Sequence, residues 1–178
     1  MSESRTNFKA LEAEFNKLQA QFKTEAESIL KETFKYVFDK NPSITAIVWS
    51  QYTPYFNDGD SCEFNVNDVQ FTNVKNLDNI SNGSWPELDM DTDDEEYKDT
   101  FMIYGVKYYQ DSNNHQGRWD SDEREAVLKA NLDFDSCDEL SKMMCSSLME
   151  DVALSLFGDH VMVVATREGF DIRDIDHI

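Results

Sequence analysis

Apolar residues fall at Phe8, Leu11, Phe15, Leu18, Phe22, Ala26, Ile29, Leu30, Phe34, Val37 and Phe38, mostly in steps of three and four. That period predicts one amphipathic helix from residue 4 to about 39, with Lys and Glu on its other faces. Pro42 ends it, because the residue before a proline is pushed out of the α region. At 1.5 Å per residue the helix would run about 50 Å, longer than a domain of this size usually covers. Two arrangements follow. Either the first turns project, with Phe8, Leu11, Phe15, Leu18 and Phe22 meeting a partner or a second copy, or the whole helix lies on its own domain.

Beyond Pro42 the period changes. Residues 43–53 are rich in β-formers, and residues 61–71 read as a second strand, with Cys62, Phe64 and Val66 and then, after a break, Val69 and Phe71 as apolar candidates. Asn57-Asp58-Gly59-Asp60 between them favours the positive φ of a tight hairpin turn. Residues 72–99 carry few periodic apolar positions and many turn formers, which predicts an exposed, mobile loop. Thr100 to Tyr109 reads as a strand. A helix capped by Asp120 and Glu123 runs to about Leu132. A second starts at the Ser136-x-x-Glu139 capping box and ends at Gly158, burying Leu140, Met144, Leu148, Val152 and Leu156. The apolar run His160–Thr166 predicts a central strand, and the charge-alternating 170–178 an edge strand. The assembly is α+β: a long N-terminal helix, a mostly antiparallel sheet of about five strands, and two further helices before a C-terminal hairpin. It divides into the helix, 1–40, and an acidic α+β domain, 41–178.

Charge sharpens this division. The 178 residues carry a formal net charge of −20. Residues 1–40 hold seven Lys/Arg and seven Asp/Glu, so the whole excess lies in residues 41–178, nine basic against twenty-nine acidic. Such a surface repels phosphate backbones and anionic lipid, which argues against direct nucleic-acid or membrane binding. It attracts basic surfaces, and two clusters carry most of that prospect: Glu87, Asp89, Asp91, Asp93, Asp94, Glu95 and Glu96, and then Asp120, Asp122, Glu123 and Glu125. Three cysteines, an odd number, fit free thiols in a reducing cytoplasm. No apolar run is long enough to span a membrane, and the first residues lack the pattern of a signal peptide.

Recognisable chemistry is sparse. The six glycines form neither a dinucleotide nor a phosphate loop. There is no Cys-x-x-Cys, and Cys137 and Cys145 fall on a helix expected to be buried, so no zinc site is expected. Asp89-x-Asp91-x-Asp93 opens like a calcium loop, but Asp94 stands where glycine is required and Thr100 where the bidentate glutamate is. Glu150-Asp151, on an otherwise apolar helix, is the best acid–base candidate, set against an ordinary wet stripe. Cys62 with His160 is a conceivable nucleophile pair, set against Cys62 as a buried small hydrophobe. No catalytic residue, cofactor or metal is assigned.

The stretch Trp49-x-Gln51-Tyr52-Thr53-Pro54-Tyr55-Phe56-Asn57-Asp58-Gly59-Asp60, with Cys62 and Phe64, resembles a motif in a group of uncharacterised bacterial and phage proteins. The resemblance implies a microbial or phage origin and no reaction. Its aromatics, Trp49, Tyr52, Tyr55 and Phe56, serve either the fold or an exposed patch for a partner. Three functions are compatible with the sequence. The first is an acidic binding protein that occupies a basic surface of a host protein, as a nucleic-acid mimic or anti-defence inhibitor. The second is an assembly module that oligomerises through the N-terminal helix. The third is an enzyme with its site near residues 49–64, where Gln51, Tyr52, Tyr55 and His160 would line a pocket.

Overall fold

Two strands of almost unbroken apolar sequence, Ala46–Tyr52 (β1) and Val161–Ala165 (β5), form the centre of the sheet. Strands of that composition need cover on both faces, and both faces are covered. The computed structural model describes residues 2–55, 59, 61–67, 69–83, 85–89, 99–104 and 121–175, apart from the side chains of 2–7 and 121–124. The fold is α+β, with a mostly antiparallel sheet behind a long N-terminal helix. Among the described residues the sheet has six strands. Besides β1 and β5 these are β2 (Asn65–Val66), β3 (Gln70–Thr72), β4 (Met102–Ile103) and β6 (Phe170–Asp174). Their order is β4-β3-β1-β5-β6, with β2 also on β1, and every pairing is antiparallel. β5 is central and β6 lies at the edge, as their charge patterns predict.

The second strand is divided in two at the break in its apolar spacing after Val66. Gln51 pairs with Val66 and Val48 with Gln70, so between these two pairs the partner has one residue more than β1. That is a β-bulge. It solves a parity problem. Val66 and Phe71 are five residues apart, and in an unbroken strand they would point to opposite faces. The extra residue brings both into the same buried cluster. β1 and β2 pair antiparallel, as the hairpin reading expects, while most of the turn expected at 57–60 lies outside the described residues. β1 stops at Tyr52 and pairing resumes at Asn65, so the connection is long; Gly59 (φ 102°) is described, while Asn57, Asp58 and Asp60 lie outside the described residues. Of the strand expected over Thr100–Tyr109, Met102 and Ile103 pair with β3, and 105–109 lie outside the described residues.

Odd-numbered residues of β1 and β5 (Ile47, Trp49, Val161, Val163) face the helices, and even-numbered ones (Val48, Met162, Val164) face the other side. That second side is covered by the segment expected to be a mobile loop. Val74 and Ile80 are buried there, Leu77 and Leu88 pack beside them, and an Ile80–Leu88 bridge closes the segment on itself. Thr45 Oγ1 donates to Val74 O at 2.6 Å, and Arg173 Nη1 to Leu77 O at 3.2 Å, which tie the cover to β1 and β6. Turn formers are abundant there because the backbone must fold flat over a sheet, and a few apolar side chains suffice to hold it.

Four helices are described: α1 (Ser2–Lys40), α2 (Ser121–Ala130), α3 (Phe134–Met144) and α4 (Ser147–Phe157). The helix expected from Ser136 to Phe157 is therefore two. Asp133, not Ser136, caps α3: its carboxylate accepts from Ser136 N at 3.2 Å. The chain breaks at Cys145–Ser146, where Ser146 Oγ donates to Met143 O, and it restarts with Ser146 as N-cap. The break turns Leu148 outward to solvent, against expectation, while Ala153 and Phe157 point in. Gly158 ends α4 at φ 94°, a value that disfavours a side chain.

Only the last third of α1 joins this core. Leu30, Phe34, Val37 and Phe38 are buried in the same cluster as β1 and β5. Phe34 lies 5.6 Å from the Trp49 ring and 5.5 Å, edge-on, from Phe170; Phe157 completes the group 5.5 Å from Trp49. The end of α1 is clamped. Arg167 donates to Ile44 O at 2.7 Å and Phe38 O at 3.1 Å, complementing the helix C-terminus, and its guanidinium lies over the Phe38 ring. Asn41, 1% exposed, donates to Val37 O and Ser136 Oγ and accepts from Asp133 N, which joins α1 to α3. Removing the Phe34 ring leaves a cavity against Trp49, so Phe34→Ala is expected to cost about 3–5 kcal/mol. Urea unfolding followed by Trp fluorescence will show this as a large drop in midpoint.

Candidate functional site: a bare helix seam

Residues 8–25 of α1 are all exposed, and Leu30 is the first buried position. Phe8, Leu11, Phe15, Leu18 and Phe22 are 70%, 67%, 59%, 55% and 49% exposed. Their spacing of three and four is that of the a and d positions of a heptad with Phe8 at a. Ile29 and Tyr36 continue the a series, and both are exposed as well. The helix therefore carries two apolar faces where the sequence suggested a single one. Leu30, Phe34, Val37 and Phe38 pack on the sheet, while the a/d seam stays open along the helix. Glu25, Glu32 and Asp39 occupy the later d positions, so the fully apolar part of the seam ends at Phe22. Contacts fix the root of the helix, so the residues before it project from the core.

The seam is large. Phenylalanine carries on the order of 150–250 Å² of side-chain area, so three half-open rings and two leucines leave roughly 500 Å² of apolar surface on one helix. A typical monomer keeps its largest apolar patch to about 300–600 Å², and that patch is often functional. Water also gives little support to such a segment, because an isolated helix shorter than about 12–15 residues is marginal and a longer one frays without cover.

The aromatic stretch divides differently. Trp49 is fully buried, and its Nε1 donates to Gln51 Oε1 at 3.0 Å, so it belongs to the core and to no surface patch. Gln51 is buried too and donates to Ala153 O and Gly158 O, which closes β1 onto the end of α4. Tyr52 is half-buried and Tyr55 exposed; both stack on His160, at 6.5 and 5.0 Å between ring centroids. Phe56 lies outside the described residues. The residues proposed to line a pocket thus include one, Gln51, whose amide is spent on backbone carbonyls. Two shallow grooves of about 240 and 350 Å³ lie elsewhere, between α1 and the β5–β6 turn, sharing Lys31, Glu168, Gly169 and Phe170. Glu150 is half-buried and Asp151 exposed.

Of the acidic clusters, Glu87 and Asp89 are exposed at the edge of the sheet cover. Glu125 already faces Lys129 at 3.2 Å, and Lys129 also binds Asp99 at 2.8 Å; these partners raise the Lys129 pKa. Asp91, Asp93, Asp94, Glu95, Glu96 and Asp120 lie outside the described residues, as do the side chains of Asp122 and Glu123. Among the described residues no group of His, Cys, Asp and Glu could hold a metal ion, and no helix is long and apolar enough to cross a membrane.

The cysteines separate by environment. Burial pushes the Cys137 thiol up to about 12, against a weaker lowering by Ser136. Cys62 and Cys145 are exposed, which corrects the expectation that Cys62 packs inside and that Cys145 shares a buried helix. Thiolate is the reactive form, so a maleimide reagent at neutral pH is expected to modify Cys62 and Cys145 in the native protein and Cys137 only after denaturant is added. Peptide mass spectrometry reads this directly.

Asp159 ties the loop after β1 to the start of β5. Its carboxylate accepts from Thr53 N and Thr53 Oγ1, both at 2.8 Å, and from its neighbour's amide, His160 N. Partial burial works to raise its pKa, and these hydrogen bonds outweigh it, so the net shift is downward. A depressed carboxylate contributes stability above its unfolded value, about 3.9, and that contribution is lost as pH falls toward the folded value. Asp159→Asn is therefore expected to unfold more easily than the parent at pH 7, with the difference shrinking below about pH 4. Denaturant melts of the two proteins across pH 3–7 check this.

No known protein-family model, curated protein or solved structure matches the chain.

Proposed function

We propose that the chain is an assembly module in which copies associate through the bare a/d seam of α1, each carrying one acidic α+β domain. The observation that supports this reading is the seam itself: five large apolar side chains at heptad spacing, at least 49% exposed, on a helix anchored by Phe34 and Arg167. Hydrophobic burial at roughly 25 cal/mol per Å² makes such a seam costly to leave in water. The electrically balanced helix and the strongly acidic remainder fit the same division of labour. One part associates, and the other resists nonspecific association through its like charge.

A second reading is favoured by a different observation. The net charge of −20 on residues 41–178 suits an acidic protein that occupies a basic protein surface in the manner of a nucleic acid, with Glu87 and Asp89 among its exposed carboxylates. This use is compatible with assembly, because the acids lie on the domain and the seam on the helix.

Phe15→Glu with Phe22→Glu places two charges in the seam and touches no core residue. In multi-angle light scattering the parent is expected as a multimer and the double variant as a monomer, with unchanged near-UV circular dichroism from the domain. A parent that is monomeric at about 100 μM, well above the Kd of ordinary specific complexes, removes the assembly reading.

A further inference from the structure

Resting on the assembly reading, we infer that the seam binds one second copy of this chain, antiparallel, with Phe15 of each helix across from Leu18 of the other. Three features of the chain select this arrangement, the first and third over a parallel pair and the second over another antiparallel register.

The first is side-chain size. Phe8, Phe15 and Phe22 occupy a, and Leu11 and Leu18 occupy d. A parallel pair stacks Phe on Phe in three layers, and two-stranded parallel seams favour β-branched Ile or Val at a. An antiparallel pair sets each a residue against a d residue. Phe15 then meets Leu18, and Phe22 meets Leu11, which gives four layers of one large and one smaller side chain. Alternation of this kind fills a seam without voids or strain.

The second is charge beside the seam. Glu12 and Gln19 fall at e, and Glu14 and Gln21 at g. With Phe15 across from Leu18, Glu12 lies beside Gln19 of the other copy and Glu14 beside Gln21. A shift of one heptad toward the N-terminus sets Glu12 against Glu12 and Glu14 against Glu14, and like charges at these positions set partner register by repulsion. In the chosen register the Glu25 side chains fall at the two outer ends, across from Phe8, where a carboxylate can reach water. Ile29 then lies beside the first turn of the other helix.

The third is the acidic domain. Both copies carry the net charge of −20 on residues 41–178, rooted at Leu30. A parallel pair roots both domains at the same end. The antiparallel pair sets Leu30 of the two copies about 40 Å apart along the axis, several times the ~8 Å screening length at physiological salt. The area comes close to what a stable pair needs. Two seams remove roughly 1,000 Å² of side-chain surface before flanking residues are counted, which approaches the ~1,200 Å² of the smallest stable interfaces.

Disulfide trapping tests this on the whole chain. Cys62→Ser and Cys145→Ser remove the two exposed native thiols, and Leu11→Cys and Phe22→Cys are then made in separate chains. Mild oxidation of the mixture is expected to give the crossed dimer of the two variants, and each variant alone is expected to remain uncrosslinked. Self-linking of each variant without the crossed product would establish a parallel pair and overturn the inference while leaving the assembly reading in place. So would a mass of three or more chains. A monomeric parent overturns both. If either cysteine variant fails to associate, small-angle scattering of the unaltered protein decides: two lobes about 40 Å apart support the antiparallel pair, and two domains in contact exclude it.

Discussion

The ring contact between Phe34 and Trp49 is the constraint on which the other features rest. Trp49 sits on the central strand and also touches Phe157 at the end of α4, so one side chain joins sheet, long helix and last helix. Its indole N–H is satisfied by Gln51, whose own amide reaches back to the end of α4. Once Phe34 is seated, Arg167 and Asn41 can meet the last carbonyls of α1, and the helix leaves the core along one direction. Residues 8–25 are exposed along their whole length. Their direction is inherited from this anchor.

Fold class was readable because periodicity changes are local. The helical period to Phe38, the apolar runs of β1 and β5 and the charged edge of β6 depend on neighbours along the chain. The bulge between Val66 and Gln70 depends on register against β1, and along the chain it shows only as a break in the apolar spacing after Val66. The split between α3 and α4 was hidden for a similar reason. Apolar spacing continues through Cys145, and the Ser146 hydroxyl that turns back to Met143 looks like any polar residue on a wet face. The cover over the second sheet face was hidden most completely, since Val74, Leu77, Ile80 and Leu88 are too widely spaced to declare a layer.

At the seam, the residues were legible and their division was not. Phe8 to Phe22 and Leu30 to Phe38 read as one stripe because both obey steps of three and four. The a/d positions run along one line, and the buried positions have drifted to another side of the cylinder. Distinguishing them requires knowing which side the sheet takes. Trp49 was left open between the fold and a surface patch. A tryptophan in a dense aromatic stretch invites an interface reading, but its place on the central strand, between two faces that both need filling, makes it core.

The two faces of α1 also make the helix a rotary coupling. Between Phe22, the last large residue of the apolar seam, and Leu30, the first of the core, the chain is an uninterrupted helix without glycine or proline. Each residue advances the helix by 100°. A single insertion there would keep every core contact and every seam residue, yet swing the seam about a quarter turn around the domain. Seven added residues would nearly restore the angle and lengthen the arm by about 10 Å. The spacing of residues 23–29 therefore sets an angle, and only a length change close to a whole number of helical turns preserves it.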